Sequence, residues 1–257
     1  MSDGPLAGRR VLVTRPKGRA GVLEALIREA GGEPILWPAI EIADPEDFAR
    51  FDELVERLGQ FDLAIFISPT AAEKALERIE QRGIGWPEGL PVAAIGPGTR
   101  RELVRSGFAD VLAPEHRADS EALLELPALT GVRGKRVAIF RGAGGRELLA
   151  TVLAERGATV EYAECYRRMR PQGPAAPPAW AAQPVDAATV SSSEGLAHVA
   201  EMLGRWRRNW TEESVLFVPH RRVGEEASRL GVREVVLAGA TDEEIASRLV
   251  AYFRDAK

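Results

Sequence analysis

The chain is short of cysteine, histidine and lysine, and each shortage narrows what it does. One cysteine, Cys165, excludes an internal disulfide and fits a reducing compartment, so a cytoplasmic location is expected. Three histidines beside that single thiol argue against a structural zinc site, and no metal is expected. No apolar run approaches the roughly 20 residues that cross a bilayer. The stretch MSDGPLAGRRVLV also lacks the long apolar core of a secretory signal, so no membrane contact is expected. A net charge of -4 gives no global attraction to nucleic acid. Lysine occurs four times (Lys17, Lys74, Lys135, Lys257) against thirty arginines. Arginine suits fixed, bidentate contacts to carboxylate or phosphate. A general compositional preference with surface ion pairs explains the same excess, so position matters more than the count.

What the chain has is repetition. Its 257 residues exceed the usual single-domain size and favour two domains of roughly 100 to 150 residues. RVLVTRPKGRAGVLEALIREAGGE, from Arg10, matches RVAIFRGAGGRELLATVLAERGAT, from Arg136. Arg15 aligns with Arg141 and Gly31 with Gly157, both at a separation of 126. FDLAIFISPTAAEKAL, from Phe61, parallels VDAATVSSSEGLAHV, and PVAAIGPGTRRELVRSGFADVLAP parallels ESVLFVPHRRVGEEASRLGVREVVLAG. Three matches in one order indicate a tandem duplication of strand–turn–helix units. The expected class is therefore α/β, with two similar parallel-sheet domains facing each other across a cleft. Strands are expected near 11–14, 63–67, 92–95, 137–140, 187–190, 215–218 and 235–237. Helices follow most of them, at 21–29, 71–81, 100–106, 146–156, 195–203, 223–230 and 242–254. EPILWPAIEIADPEDFARFDELVERL and AECYRRMRPQGPAAPPAWAAQPVD interrupt the pattern at equivalent places and are candidate connections between the domains.

The turn GAGG, Gly142–Gly145, sits between a strand and a helix, as a dinucleotide fingerprint does. It lacks the full GxGxxG spacing and a P-loop lysine, so no nucleotide cofactor is expected. Ser68, Thr70, Thr99, Arg141, Ser191–Ser193, Arg221 and Arg222 all lie just beyond expected strands. Helix starts there offer free backbone N–H groups to anions, so a ligand with many carboxylates or phosphates suits the lining. No paired carboxylates or nucleophile–base pair stands among these residues. Catalysis by holding a reactive substrate in one shape is the chemistry that remains.

The ordered set VLVTRP, FISPTA, AAIGPGTRREL, FRGAGGRELLATVLAERGATVEYAECYRR, VSSSEGL and VPHRRVGEEASRLGVREVVLA resembles uroporphyrinogen-III synthases over nearly the whole chain. The resemblance implies a monomeric, cofactor-free enzyme that closes hydroxymethylbilane into uroporphyrinogen III with inversion of ring D. It implies a first α/β domain of residues 1–38 and 169–257, a second of residues 39–168 inserted into it, and two extended linkers. Repetition alone would divide the chain near residue 130. The resemblance also makes Tyr166 the catalytic candidate, as proton donor to the departing hydroxyl; packing in a linker is the plain alternative. Arg15, Ser68, Thr70, Thr99, Arg141, Ser192, Ser193, His220 and Arg222 are the candidate substrate-binding residues, with helix capping the alternative for the hydroxyl side chains. The chain departs from the family pattern at Ile67, Thr70, His220 and Arg222, positions where backbone donors rather than side chains are expected to persist. Transient contact with the hydroxymethylbilane-producing enzyme is a further expectation. A binding module for an anionic ligand, or a tetrapyrrole binder without catalysis, shares this architecture and is separated from the enzyme by its effect on the product isomer. His198, His116, Cys165 and GRWRRNW (204–210) read as ordinary structural or surface residues.

Overall fold

The computed structural model describes residues 4–115, 117, 119–172, 185–204 and 211–255. The chain divides into two compact units, Met1–Glu41 with Met169–Lys257, and Ile42–Arg168. His116 and residues 205–210 of the arginine–tryptophan stretch lie outside the described residues. No helix among the described residues is long and apolar enough to cross a membrane.

The first unit holds a five-stranded sheet: β1 (Arg10–Val13), β2 (Glu33–Leu36), β9 (Ala187–Thr189), β10 (Val215–Val218) and β11 (Glu234–Leu237). Their order is β11-β10-β9-β1-β2, with every neighbouring pair parallel. The three central strands bury both faces, as a parallel sheet covered by helices requires. Val11, Val13, Ala187 and Phe217 pack with helices α1 (Gly21–Glu29) and α10 (Asp242–Asp255). Leu12, Ala188, Leu216 and Val218 face the other way, onto α8 (Ser193–Leu203) and α9 (Arg221–Arg229).

The second unit holds β3 (Glu41–Ala43), β4 (Leu63–Phe66), β5 (Val92–Ala94), β6 (Val111–Leu112), β7 (Arg136–Gly142) and β8 (Thr159–Met169). Their order is β3-β8-β7-β4-β5-β6, and β8 through β6 run parallel. The period of two again sorts the core. Ala64, Phe66, Val92, Ala138 and Phe140 pack on α2 (Ala49–Glu56), α3 (Pro69–Gln81) and α4 (Pro97–Arg105). Leu63, Ile65, Ala93, Val137 and Ile139 pack on α5 (Ser120–Leu124), α6 (Pro127–Thr130) and α7 (Leu148–Glu155). Phe66 and Phe140 are register partners on β4 and β7, and their rings stack 4.5 Å apart.

The duplicated segments occupy the same places in the two sheets. β1, β2, β9, β10 and β11 of one correspond to β7, β8, β4, β5 and β6 of the other, in the same spatial order. Gly31 and Gly157, which close the matched helices α1 and α7, share a φ of 89°, a left-handed backbone that favours glycine. All seven expected strands are present. The second interruption begins later than expected: AECYRRM is the continuation of the eleven-residue β8, because prolines enter only at Pro171.

Candidate active site at the carboxyl edge of the second sheet

In the second sheet the strand order reverses between β4 and β7, the kind of switch point where open α/β sheets receive ligands. Ser68 follows β4 in an extended conformation and caps α3, its Oγ accepting the Ala71 N–H at 2.9 Å. Pro69 fits the first helical turn, where no N–H is needed. Thr70, in that turn, is half-buried. Thr99 lies in the first turn of α4 after Gly96 and Pro97, 2% exposed, and its Oγ1 has no hydrogen-bond partner. A buried hydroxyl left in that state costs roughly 1–3 kcal/mol, so an incoming polar group that reached it would recover that cost.

The glycine turn at the end of β7 folds around an arginine. Arg141, expected among the anion donors, is 2% exposed and turned inward. Its Nε donates to Gly142 O at 3.2 Å, its Nη1 to Glu147 at 3.1 Å, and its Nη2 to Gly144 O. The guanidinium lies 4.5 Å from the centre of the Tyr162 ring. A Cβ on Gly145 would stand 2.9 Å from Nη2, so the turn is glycine-rich to admit this fork.

Tyr166 lies on β8 and is 2% exposed. Its hydroxyl is 3.2 Å from Ser68 Oγ, and Arg168 Nη2 donates to it at 3.4 Å. The other two tyrosines end differently. Tyr162 donates to Glu147 and Tyr252 to Glu234, both at 2.5 Å, and both are pushed up to about 12, first by burial and then by the carboxylate. Tyr166 is thus the tyrosine whose phenol meets a serine and an arginine instead of a carboxylate.

The other candidates follow strands of the first sheet. Arg15, after β1, donates to Ala240 O at 3.0 Å and sits 3.0 Å from Asp242 Oδ1. That ion pair lacks hydrogen-bond alignment, since Arg15 Nε and Asp242 Oδ1 are both buried without a hydrogen-bond partner. Burial raises the Asp242 carboxyl more than Arg15 lowers it. Ser192 caps α8, accepting the Gly195 N–H at 3.0 Å. Ser193 has a buried, unpartnered hydroxyl and lines an open groove of about 440 Å³ with Leu196, Glu201 and Arg229. His220 occupies the cap position of α9 without a side-chain bond, and both it and Arg222 are exposed.

A family model described as uroporphyrinogen-III synthase HemD matches residues 21–246. The uroporphyrinogen-III synthase of Escherichia coli K12 is 32% identical over 237 residues, covering 91% of this chain and 96% of that one. That of Salmonella typhimurium LT2 is 33% identical over 238 residues with the same coverage. The chain belongs to the uroporphyrinogen-III synthase family. Among solved structures, a uroporphyrinogen III synthase from Thermus thermophilus superposes with a TM-score of 0.64 at 21% identity, covering 97% of this chain and 99% of that one. One from Helicobacter pylori 26695 gives 0.61 at 14% identity, with 95% and 99% covered, so the two-domain α/β fold is shared as well.

Within this uroporphyrinogen-III synthase fold, sequence reasoning missed Arg168 as a neighbour of the phenol, although the doubled arginine after Tyr166 was its signal. Arg167, adjacent in sequence, turns away to Asp44 O and Glu46. Cys165 is buried and its thiol is pushed up to about 12, chiefly by burial, which keeps it an unreactive thiol. His198 Nδ1 lies 2.9 Å from Ala39 O and is engaged in local structure. Among the described residues no three His, Cys, Asp or Glu side chains group closely enough to hold a metal ion.

Proposed function

We propose that the chain closes hydroxymethylbilane to uroporphyrinogen III, with loss of water and inversion of ring D, and that Tyr166 is its proton donor. Family membership supports the reaction. One observation supports the residue: a phenol that accepts from Arg168 keeps its own O–H to give away, and here it stands at the switch point beside Ser68. The phenol donates to the terminal hydroxyl of the substrate, which leaves as water and generates an electrophilic azafulvene. Attack by the substituted carbon of ring D gives a spiro intermediate, which fragments and recloses with that ring inverted. The proton is returned when the closing pyrrole loses its own on regaining aromaticity. Positioning is the main catalytic resource, because the substrate also cyclises unaided to the uninverted isomer.

In this reading the hydroxyls of Ser68, Thr70, Thr99, Ser192 and Ser193, with the helix-start N–H groups beside them, hold substrate carboxylates. Arg15 and Arg222 supply positive charge, and the His220 ring supplies a further hydrogen-bonding group. The protein works as a monomer in the cytoplasm and takes its unstable substrate by transient contact with the enzyme that makes it. The test mixes purified protein with freshly generated hydroxymethylbilane and separates the oxidised porphyrin isomers. Mostly isomer III, unchanged by chelator, against mostly isomer I in the protein-free control, is the expected result. A folded protein that leaves the control ratio unchanged would defeat the proposal, and tight binding without selection would make it a carrier.

A further inference from the structure

A β-bulge directs the Tyr166 side chain. Along β7 and β8 the register runs Phe140 with Ala163 and Arg141 with Glu164, then jumps to Gly142 with Tyr166. Cys165 is the extra residue. In an unbroken strand, Cys165 and Tyr166 would face opposite sides of the sheet. With the bulge, both join the core beneath α3. Bulges re-aim side chains in this way beside functional sites.

The re-aimed ring has to cross a strand. Tyr166 is on β8, Ser68 follows β4, and β7 lies between them. Strands stand about 4.8 Å apart, so the phenol reaches Ser68 only by passing over the end of β7. The residue at the crossing is Gly142. A Cβ there would lie 2.6 Å from Tyr166 Cζ, 2.7 Å from Cε2 and 3.1 Å from Cε1, against the hydroxyl-bearing end of the ring. Gly142 is not among the glycines of positive φ, so space and not backbone conformation demands glycine. The crossing is held from both sides. Ala143 N donates to Tyr166 O at 2.7 Å, the Cys165 thiol meets Arg141 O at 3.2 Å, and Arg141 Nε holds Gly142 O.

We infer that Gly142, in the turn pinned by Arg141, is a positioning residue that fixes where the Tyr166 hydroxyl meets the substrate. The inference rests on the proposed role of Tyr166. A methyl group at residue 142 forces the ring end to retreat by about 1 Å to reach ordinary contact distance. A displacement of that size from a catalytic geometry costs up to about a hundredfold in rate.

The test is a cycle of Gly142→Ala, Tyr166→Phe and the double variant, read by single-turnover closure, product isomer ratio, melting temperature and the 13Cζ NMR signals of the three tyrosines. Gly142→Ala should move the Tyr166 signal and slow closure by about ten- to a hundredfold. In the Tyr166→Phe background the same change should lower the melting temperature equally but alter the rate less than about twofold, since no hydroxyl remains to misplace. Equal rate losses in both backgrounds would overturn positioning in favour of a structural role. An unmoved Tyr166 signal with an unchanged rate would overturn the clash itself. If Tyr166→Phe alone closes at the wild-type rate, the catalytic reading of Tyr166 falls and the positioning claim with it, a result separable from the other two. Should Gly142→Ala not fold, Arg141→Lys takes its place with the same readouts, loosening the turn without adding atoms at the ring.

Discussion

The two sheets are the same arrangement entered by the chain at different points, and their carboxyl edges can be compared residue by residue. Ser68 and Ser192 cap α3 and α8 with almost the same backbone angles, φ -162° and -159° with ψ 158°, and the same bond to the third residue onward. Arg15 and Arg141 end the matched strands β1 and β7. Beyond these shared positions the edges diverge. Gly142 in the second sheet corresponds to Pro16 in the first, and Tyr252, the tyrosine of the first unit, bonds Glu234 rather than a helix cap. Duplication therefore supplied two edges with capped helix starts, and one of them also carries a phenol set against its cap. The difference turns on the absence of a side chain at Gly142 as much as on the presence of Tyr166.

The arginines give the sharpest contrast in stability. Arg141 is enclosed and satisfies two turn carbonyls, whereas Arg15 keeps a fifth of its side chain in solvent and leaves Nε unpartnered. Arg141→Met should cost roughly 3 kcal/mol, from stranded carbonyls and imperfect packing. Arg15→Met should cost about 1 kcal/mol, the scale of a partly exposed ion pair. Urea titrations of the two variants measure both. Equal losses would mean that the two arginines hold their turns alike, and the contrast between the edges would narrow to Tyr166.

The serines separate capping from chemistry. Ser68→Ala and Ser192→Ala each remove a helix cap and should each cost about 1 kcal/mol. Only Ser68→Ala also removes one of the two partners of the Tyr166 hydroxyl, leaving Arg168. Single-turnover closure should therefore slow by a few-fold to about tenfold for Ser68→Ala, with little change for Ser192→Ala beyond any weakening of substrate affinity. A larger rate loss at Ser192 would shift the chemistry to the first sheet.

Much of this was legible in the sequence, for local reasons. Strands such as RVLV and RVAIF are continuous apolar runs between turn signals, so all seven expected strands stand where periodicity put them. The weaker strands were not read. β2 (EPIL) carries a proline and lies at a sheet edge, and β6 has only two residues. At the site, Ser68 and Ser192 were visible because capping depends on residues three apart. Arg141 was visible as a strand-end arginine but not as one turned inward, because its partners are carbonyls of a turn whose shape the spacing does not state. The role of Gly142 was invisible for a stronger reason. It needs the order β8-β7-β4 and a register jump at Cys165, both set by contacts between distant segments.

The smallest effect expected is a pH dependence of opposite sign in the two units. In the second unit, Glu161 is held below the usual carboxylate range by Arg57 first and then Arg136, with burial opposing them. A carboxylate lowered on folding stabilises the protein above its unfolded value, and that contribution is lost as pH falls through the folded value. Glu161→Gln should therefore lower the urea midpoint at pH 7, and the loss should shrink toward pH 3. In the first unit, Asp242 is raised, chiefly by burial, with Arg15 only partly opposing it. A raised carboxyl contributes stability below its unfolded value and loses it as pH rises through the folded value. Asp242→Asn should hold or raise the midpoint at pH 7, and that advantage should vanish in acid. The measurement is the difference in midpoint between each variant and the parent, followed from pH 7 to pH 3. Differences that run in the same direction would show that the Arg15–Asp242 pair is as well compensated as the Arg57–Glu161–Arg136 cluster. The unpartnered atoms Arg15 Nε and Asp242 Oδ1 argue that it is not, because an ion pair without hydrogen-bond alignment recovers less of what burial takes from its carboxylate.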